Sequence, residues 1–274
     1  MNSKVKSFLL WVFAFLFTAF IAVYQRMTGP TYPMTGKVTI SGEVIKYKLI
    51  RTYDGSDDAQ VVIPVSDTAI TGEYQFMRVR SNDTWTVVPM KRTGGDLTAS
   101  IPHQPIAGKV MYQVTLIKGD QKYLLNEKPA VIRYKGSIPM WILILHILLI
   151  FSAMLFSTRT GLEVIFRGKY TWSYSWVTII TLTLGGLVLG PIVQKYSFNV
   201  YWSGWPFGQD LTDNKSLVAF IFWVIAIIVQ YRNREKKIWS LVAAIILLVV
   251  FLIPHSMLGS EYDFTKEKKT EIHN

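Results

Sequence analysis

Apolar residues are concentrated in five runs along the chain, at 8–23, 138–156, 176–193, 217–229 and 238–253. Five such runs cannot all be covered by the few polar helices of a soluble protein of this size. Several runs are only about 16 residues long, whereas a membrane span needs roughly 20, so flanking residues must extend them. The pattern therefore predicts five membrane-spanning helices.

The ends of three runs carry further signals. Asp213 is a suitable N-cap for the fourth helix, and the long side chains of 235–237 can extend the fifth helix towards the interface. Lys4 and Lys6 precede the first run, as in a secretion signal, but no small-residue cleavage pattern follows it. We therefore expect the first helix to be retained as a membrane anchor.

Between residues 36 and 135 polar and apolar residues alternate with a period of two. Strand-like segments such as EVIKYKLIRTY, AQVVIPV, EYQFMRVR and KVMYQVTLI are separated by turn-forming segments such as DGSDD and KGDQ. Seven or eight short strands in about 100 residues are typical of a β-sandwich. The predicted fold is thus a membrane α-helical protein with an all-β sandwich inserted between helices 1 and 2.

These patterns divide the chain into four parts. An N-terminal anchor helix occupies residues 1–24, and the β-sandwich domain occupies 25–137. A four-helix membrane domain follows at 138–256, and a tail occupies 257–274.

Part of the β region resembles a known domain family. The segment LTASIPHQPIAGKVMYQVTLIKG is similar to the end of a fibronectin type III or immunoglobulin-like domain, where a turn with proline and glycine precedes a strand with a tyrosine. Val110, Tyr112, Val114 and Leu116 fill the alternating positions of that strand. The resemblance implies a domain for binding or spacing, although a fold alone assigns no function.

A second resemblance involves the C-terminal half of the chain. The segment GGLVLGPIVQKYSFNVYWSGWPFGQDLTDNK, followed by IPHSMLGSEYDF, looks like the corresponding part of a group of bacterial multi-pass membrane proteins. The resemblance implies a membrane protein of the bacterial envelope, and we expect it in the cytoplasmic, or inner, membrane. It transfers no activity and no catalytic residue.

Lysines and arginines in the short loops predict the orientation in the membrane. Two lysines precede the first helix, the loop after the second carries Arg159, Arg167 and Lys169, and the segment 232–237 contributes four more basic residues. Short loops rich in basic residues lie on the cytoplasmic side. We therefore expect a cytoplasmic N-terminus, with the β-sandwich and the C-terminus outside the cytoplasm.

Net charge and cysteine content exclude several kinds of protein. The formal charge is +11, but the basic residues are spread along the chain, so no nucleic-acid partner is expected. The chain has no cysteine, which excludes disulfides, thiolate metal sites, iron–sulfur clusters and covalently attached c-type haem. The sequence otherwise leaves the cofactor unidentified.

The third apolar run contains several small residues. Gly186 and Gly190 form a small-x-x-x-small step that predicts close helix packing, and Thr178 and Thr181 are expected to bond to backbone carbonyls. Pro191 predicts the end of this helix or a kink in it.

The segment YWSGWPFGQDLTDNK, at 201–215, allows two interpretations. Its aromatic residues suit the membrane–water interface, and Asp210 and Asp213 suit the start of a helix. Alternatively, Asp210 and Asp213 are catalytic acid/base groups, together with His146, an ionisable residue inside the second helix. A neutral His146 that is hydrogen-bonded to a serine or threonine of another helix is the structural alternative.

The end of the chain contains a second candidate site. His255, Glu261 and Asp263 follow the fifth helix, and with Asp210 they form a set of imidazole and carboxylate ligands suitable for a divalent metal ion. Their spacing matches no helical metal-binding motif.

Two functional hypotheses follow. The first is an envelope membrane protein that binds a protein partner, or another copy of itself, through its extracytoplasmic β-sandwich. The alternative is a membrane enzyme or redox component with a metal or acid/base site at the outer face. No Walker A, G-x-S-x-G or H-E-x-x-H motif occurs, so the sequence does not favour the common ATPases, hydrolases or zinc proteases.

Overall fold

The chain forms two compact units in a computed structural model that describes residues 3–254 and 261–266. The helical unit consists of Met1–Pro30 and Ile138–Gly259. The β unit consists of Thr31–Ser137 and Ser260–Asn274. The β unit therefore includes residues 261–266, which follow the helical unit in the sequence.

The helical unit is built from long apolar helices. Four helical runs are long and apolar enough to cross a membrane, and a fifth, α6, has 15 residues. The predicted combination of long apolar helices with a region of β-sheets is confirmed. The helices are α1 (Ser3–Thr28), α2 (Met140–Ile165), α3 (Thr171–Leu182), α4 (Gly190–Phe198), α5 (Leu211–Arg232) and α6 (Ile238–Leu252).

The second helix is longer than its apolar run. The run ends at Phe156, but α2 continues to Ile165, so Arg159 lies inside the helix and not in the following loop as predicted. The helix continues because the Arg159 charge is paired within it, with Glu163 one turn later.

The third apolar run combines two α-helices with a π-helical segment between them. A π-helical segment, Thr183–Leu189, joins α3 to α4, and the helical run continues past Pro191 to Phe198. Pro191 therefore does not end the helix, because it lies in the first turn of α4, where a missing N–H is tolerated. As predicted, the hydroxyls of Thr178 and Thr181 donate to backbone carbonyls, at 2.8 and 2.7 Å.

The β unit contains three sheets. A hairpin pairs β1 with β2, a second sheet has the order β3-β11-β9-β5-β6 with β10 paired to β9, and a third has the order β4-β8-β7. The described strands are β1 (Met34–Ile40), β2 (Glu43–Leu49), β3 (Thr52–Tyr53), β4 (Ala59–Pro64), β5 (Ile70–Arg78), β6 (Thr86–Pro89), β7 (Lys91–Thr93), β8 (Asp96–Ile101), β9 (Lys109–Lys118), β10 (Gln121–Leu124) and β11 (Ala130–Tyr134).

Strand number differs from the prediction, whereas the inward-facing positions agree with it. The sequence predicts seven or eight strands, and the described residues form eleven, several of them very short. Val110, Tyr112, Val114 and Leu116 alternate along β9 and are fully buried. Residues from all three sheets contribute to one hydrophobic core.

Residues 261–266 pack within the β unit. The Tyr262 N–H donates to the Ala107 carbonyl at 3.1 Å, and Phe264 is buried. The Arg78 guanidinium lies 4.6 Å from the centre of the Phe264 ring. This short segment is therefore held to the β unit by a backbone hydrogen bond and an aromatic anchor.

Candidate functional site

Asp210 is the N-cap of α5. Its Oδ1 accepts the Thr212 N–H at 2.8 Å, so of the two aspartates that suit a helix start it is Asp210 that caps the helix, which begins at Leu211. Aspartate caps helices well at either position. Asp210 is the cap because the Asp213 carboxylate binds the loop before α5 instead.

Asp213 holds the irregular loop before α5. Its Oδ2 accepts the N–H groups of Ser203 and Gly204, at 2.7 and 3.1 Å. The Ser203 hydroxyl lies 3.2 Å from Asp210 Oδ2 and also accepts from the Gln194 amide at 2.6 Å. The two buried carboxylates therefore close one hydrogen-bonded cluster around Ser203.

The aromatic residues of this loop have the opposite exposure. Tyr201, Trp205 and Phe207 project from the fold, with Phe207 84% exposed, while Asp210 and Asp213 are buried. Exposed aromatic side chains at the end of a membrane helix are typical of an interface anchor. The geometry favours the structural interpretation of the loop, since the described hydrogen bonds account for both aspartates.

His146 contacts a backbone group of the third membrane segment. Its Nδ1 lies 3.0 Å from the carbonyl oxygen of Gly185, which also accepts the Gly190 N–H in the π-helical pattern. The partner is thus a carbonyl at an irregular turn and not a serine or threonine hydroxyl. π-helical segments are frequent at functional sites, and the catalytic role of His146 stays a prediction.

The predicted packing step of the third segment is displaced by one residue. A Cβ atom at Gly185 would lie 2.9 Å from Leu149 Cβ on α2, whereas at Gly190 the nearest atom is 3.7 Å away. Gly185 is therefore the point of close approach, because the π-helical segment rotates Gly186 and Gly190 relative to a regular helix.

The predicted metal ligands at the C-terminal end have protein partners where they are described. Glu261 lies 3.3 Å from the Lys109 ammonium, within the β unit. Hydrogen bonds from the Thr265 hydroxyl and N–H hold the pKa of Asp263 below its usual value. His255 lies outside the described residues. Within 3–254 and 261–266, no three His, Cys, Asp or Glu side chains could together hold a metal ion.

A cavity that the sequence did not indicate lies in the helical unit. It has a volume of about 350 Å³ and is bordered by α1, by the end of α2 and by the turn that leads to α3. Arg159 lies in its wall and is only 1% exposed. Its lining residues are Lys6, Ser7, Leu10, Arg159, Glu163, Phe166, Arg167, Gly168, Lys169 and Tyr170.

A buried ion pair forms the inner part of this cavity. Arg159 Nη2 lies 2.6 Å from Glu163 Oε1, and the guanidinium packs against the rings of both Trp11 and Tyr174. The second carboxylate oxygen of Glu163 accepts the Tyr170 N–H at 3.1 Å. The carboxylate of Glu163 is therefore satisfied at both oxygens, whereas Arg159 retains donors.

The turn after α2 is shaped around the same carboxylate. Arg167 has a left-handed conformation, with φ of 54°, and the Gly168 N–H donates to the Glu163 carbonyl at 2.7 Å. A side chain at Gly168 would overlap the Glu163 carboxylate. In the sequence, the feature that indicates this ion pair is the i, i+4 spacing of Arg159 and Glu163 beyond the apolar run.

Comparisons with protein-family models, with curated proteins and with solved structures give no match. The two resemblances read from the sequence therefore stay predictions. Inference about function depends on the geometry of the two units.

Proposed function

We propose that this chain is a five-span protein of the bacterial cytoplasmic membrane that binds a protein partner through an immunoglobulin- or fibronectin type III-like sandwich outside the cytoplasm. The basic residues near the N-terminus and in the segment 232–237 support a cytoplasmic N-terminus. The buried alternation along β9 and the core shared by three sheets support a sandwich.

The number of spans is supported by where the chain returns after α6. Tyr262 and Phe264 pack within the β unit, so the two segments of that unit share one side of the membrane. Between them the chain passes through α2, the continuous run Thr171–Phe198, α5 and α6. Only an even number of crossings returns a chain to the side on which it began. Four crossings require α6 to be the fifth span.

The exposed edge strand β6 is the feature of the β unit that supports a protein partner. Strand β6 ends the order β3-β11-β9-β5-β6, and Thr86–Pro89 contains no charged residue. Val87 on β6 is 58% exposed, and Trp85, directly before the strand, is 37% exposed. An edge strand presents unpaired backbone groups, and edges are commonly protected by charged side chains.

We expect the partner to supply an extended segment that pairs with β6. Strand addition uses backbone hydrogen bonds for affinity and alternate side chains for specificity. Val87 pairs in register with Gln75 of β5, and the Gln75 amide donates to Gln113 at 2.7 Å. The outer face beside Val87 is therefore neutral and polar, which suits a peptide better than an acyl chain.

Photocrosslinking in intact cells tests this proposal. A photoreactive residue at position 87 of the full-length protein should form one discrete adduct, and the same residue at Val44, an exposed valine on β2, should not. Val87→Lys should remove an adduct that is formed from position 85. Equal adducts from positions 44 and 87, or an adduct unaffected by Val87→Lys, would refute binding at β6.

A further inference from the structure

The guanidinium of Arg159 is buried without enough acceptors. Its Nε and Nη1 atoms have no hydrogen-bond partner in the described part of the chain, although the side chain is 1% exposed. Its Nη2 bonds to Glu163 and lies 3.4 Å from the Ser7 hydroxyl. Buried donors of a charged group without acceptors are costly, so an acceptor is expected at this position.

The surroundings of Arg159 are basic. Lys6, Arg167 and Lys169 line the same cavity, and Glu163 is its one acidic lining residue. The Glu163 carboxylate is paired with the Arg159 charge and also accepts the Tyr170 N–H. The cavity therefore carries an excess of positive charge next to unused hydrogen-bond donors.

The size and the apolar part of the lining restrict the ligand further. A volume of about 350 Å³ is at the small end of the range for organic ligands. Leu10 and Phe166 border the cavity beside the charged residues. A ligand with an anionic group and a short apolar or glycerol-like portion fits this combination.

We infer that this cavity binds a phosphate group. Phosphate supplies several acceptor oxygens to a guanidinium, and basic cavities between membrane helices bind phospholipid headgroups. The phosphate belongs either to an anionic phospholipid or to a soluble phosphate compound, and these two sources share the same contacts with the protein. The inference is independent of the proposed partner at β6.

Two binding measurements on the full-length protein in detergent test the inference. Native mass spectrometry measures retention of phosphatidylglycerol relative to phosphatidylcholine. Thermal unfolding measures stabilisation by inorganic phosphate relative to chloride at equal ionic strength. Selective retention of phosphatidylglycerol with no effect of phosphate identifies a lipid headgroup, whereas stabilisation by phosphate identifies a soluble ligand.

Variants in which glutamine replaces charged lining residues test whether binding occurs at this cavity. The double variant Arg167→Gln/Lys169→Gln should weaken the responding interaction by about tenfold or more, since each basic residue near an anionic group contributes on this scale. Lys236→Gln is the matched control, because Lys236 is an exposed basic residue outside the cavity. Arg159→Gln/Glu163→Gln removes the buried pair without leaving a lone charge.

The outcomes separate clearly. Weakening in Arg167→Gln/Lys169→Gln with normal binding in Lys236→Gln supports the site, even where the Arg159 variant does not fold. The inference is overturned if neither probe binds selectively. It is also overturned if Lys236→Gln weakens binding as strongly as the cavity variant.

Discussion

Lys215, near the start of α5, donates from Nζ to the carbonyl oxygen of Ile253, immediately after α6, at 2.7 Å. Gln25, near the end of α1, donates to the neighbouring Phe251 carbonyl at 2.8 Å. At the other end of α6, Ser240 bonds to Ser175 at 3.0 Å and to Gln230 of α5. α6 therefore runs antiparallel to α5 from the level of Gln230 to that of Lys215, although its 15 residues are only about 22 Å long.

This arrangement predicts the sidedness of three positions. The chain has no cysteine, so single cysteines can be introduced without other changes. Thr84→Cys in the β unit and Lys266→Cys after α6 should react with a membrane-impermeant maleimide added to intact spheroplasts, whereas Lys236→Cys should react only after permeabilisation. Reaction of Lys266→Cys together with Lys236→Cys, on the side opposite to Thr84→Cys, would show that α6 does not cross the membrane.

The loss of stability in Asp213 variants should depend on whether the new side chain keeps a hydrogen-bond acceptor, and not on its charge. Asp213→Ala leaves the half-buried N–H of Ser203 and the buried N–H of Gly204 without their acceptor, and the buried group alone should cost about 1–3 kcal/mol. Asp213→Asn keeps a carbonyl oxygen and should cost about 1 kcal/mol or less. Denaturant unfolding of the purified protein measures the difference. Equal losses in the two variants would mean that the negative charge itself is required.

The enzyme hypothesis makes a different prediction for Asp210. Asp210→Asn retains an oxygen that can cap α5, so the abundance of the protein should be unchanged. If Asp210 transfers a proton or binds a metal, this variant should fail to complement a deletion strain, while Asp213→Asn complements it. Complementation by both variants would remove the hypothesis of a site in this loop.

Two glycines of the third membrane segment should respond oppositely to alanine. Gly185→Ala places a methyl group 2.9 Å from Leu149 Cβ and 3.1 Å from the Ile150 backbone nitrogen, and should destabilise by about 1–3 kcal/mol. Gly190→Ala meets nothing closer than 3.7 Å and should be neutral or stabilising by up to about 1 kcal/mol. Thermal unfolding in detergent tests the pair. A larger loss at position 190 would contradict the close approach at Gly185.

Acid should weaken the ion pair beside the strand β6 edge. The Arg78 guanidinium donates to both oxygens of Asp83, at 2.7 and 2.9 Å, and holds the pKa of Asp83 below its usual value of about 3.9. A lowered pKa in the folded state means that the stabilisation is complete above that usual value and is lost as pH falls through the folded-state pKa. Because the pair is about one-third exposed, its contribution should be at most about 1 kcal/mol.

The measurement is the difference in unfolding temperature between wild type and Asp83→Asn as a function of pH. The difference should be constant near neutral pH and should shrink below about pH 4. Asp120→Asn, in the exposed turn between β9 and β10, is the control and should show no such difference. A difference that grows in acid would contradict the role of the Arg78–Asp83 pair.

The long apolar helices and the β region were predictable because their signals are local. A long apolar run favours a helix in lipid whatever surrounds it, and alternation with period two specifies a strand with one buried face. The exact burial of Val110, Tyr112, Val114 and Leu116 follows from that alternation. The strand β1 was missed because MTGKVTI becomes a strand by pairing with β2, and pairing is not visible in one segment alone.

Tertiary structure decided the features on which the candidate sites depend. Asp210 caps α5 only because the Ser203–Gly204 turn folds back onto Asp213, and no rule of residue type distinguishes these two aspartates. Arg159 was assigned to a loop because its charge ends an apolar run, but a buried partner and two aromatic rings keep it inside α2. An apolar run shows that a contiguous segment is favourably transferred from water into lipid, and this property is visible in the sequence. The position of a buried charge depends instead on partners that other helices supply, and these are known only from the tertiary structure.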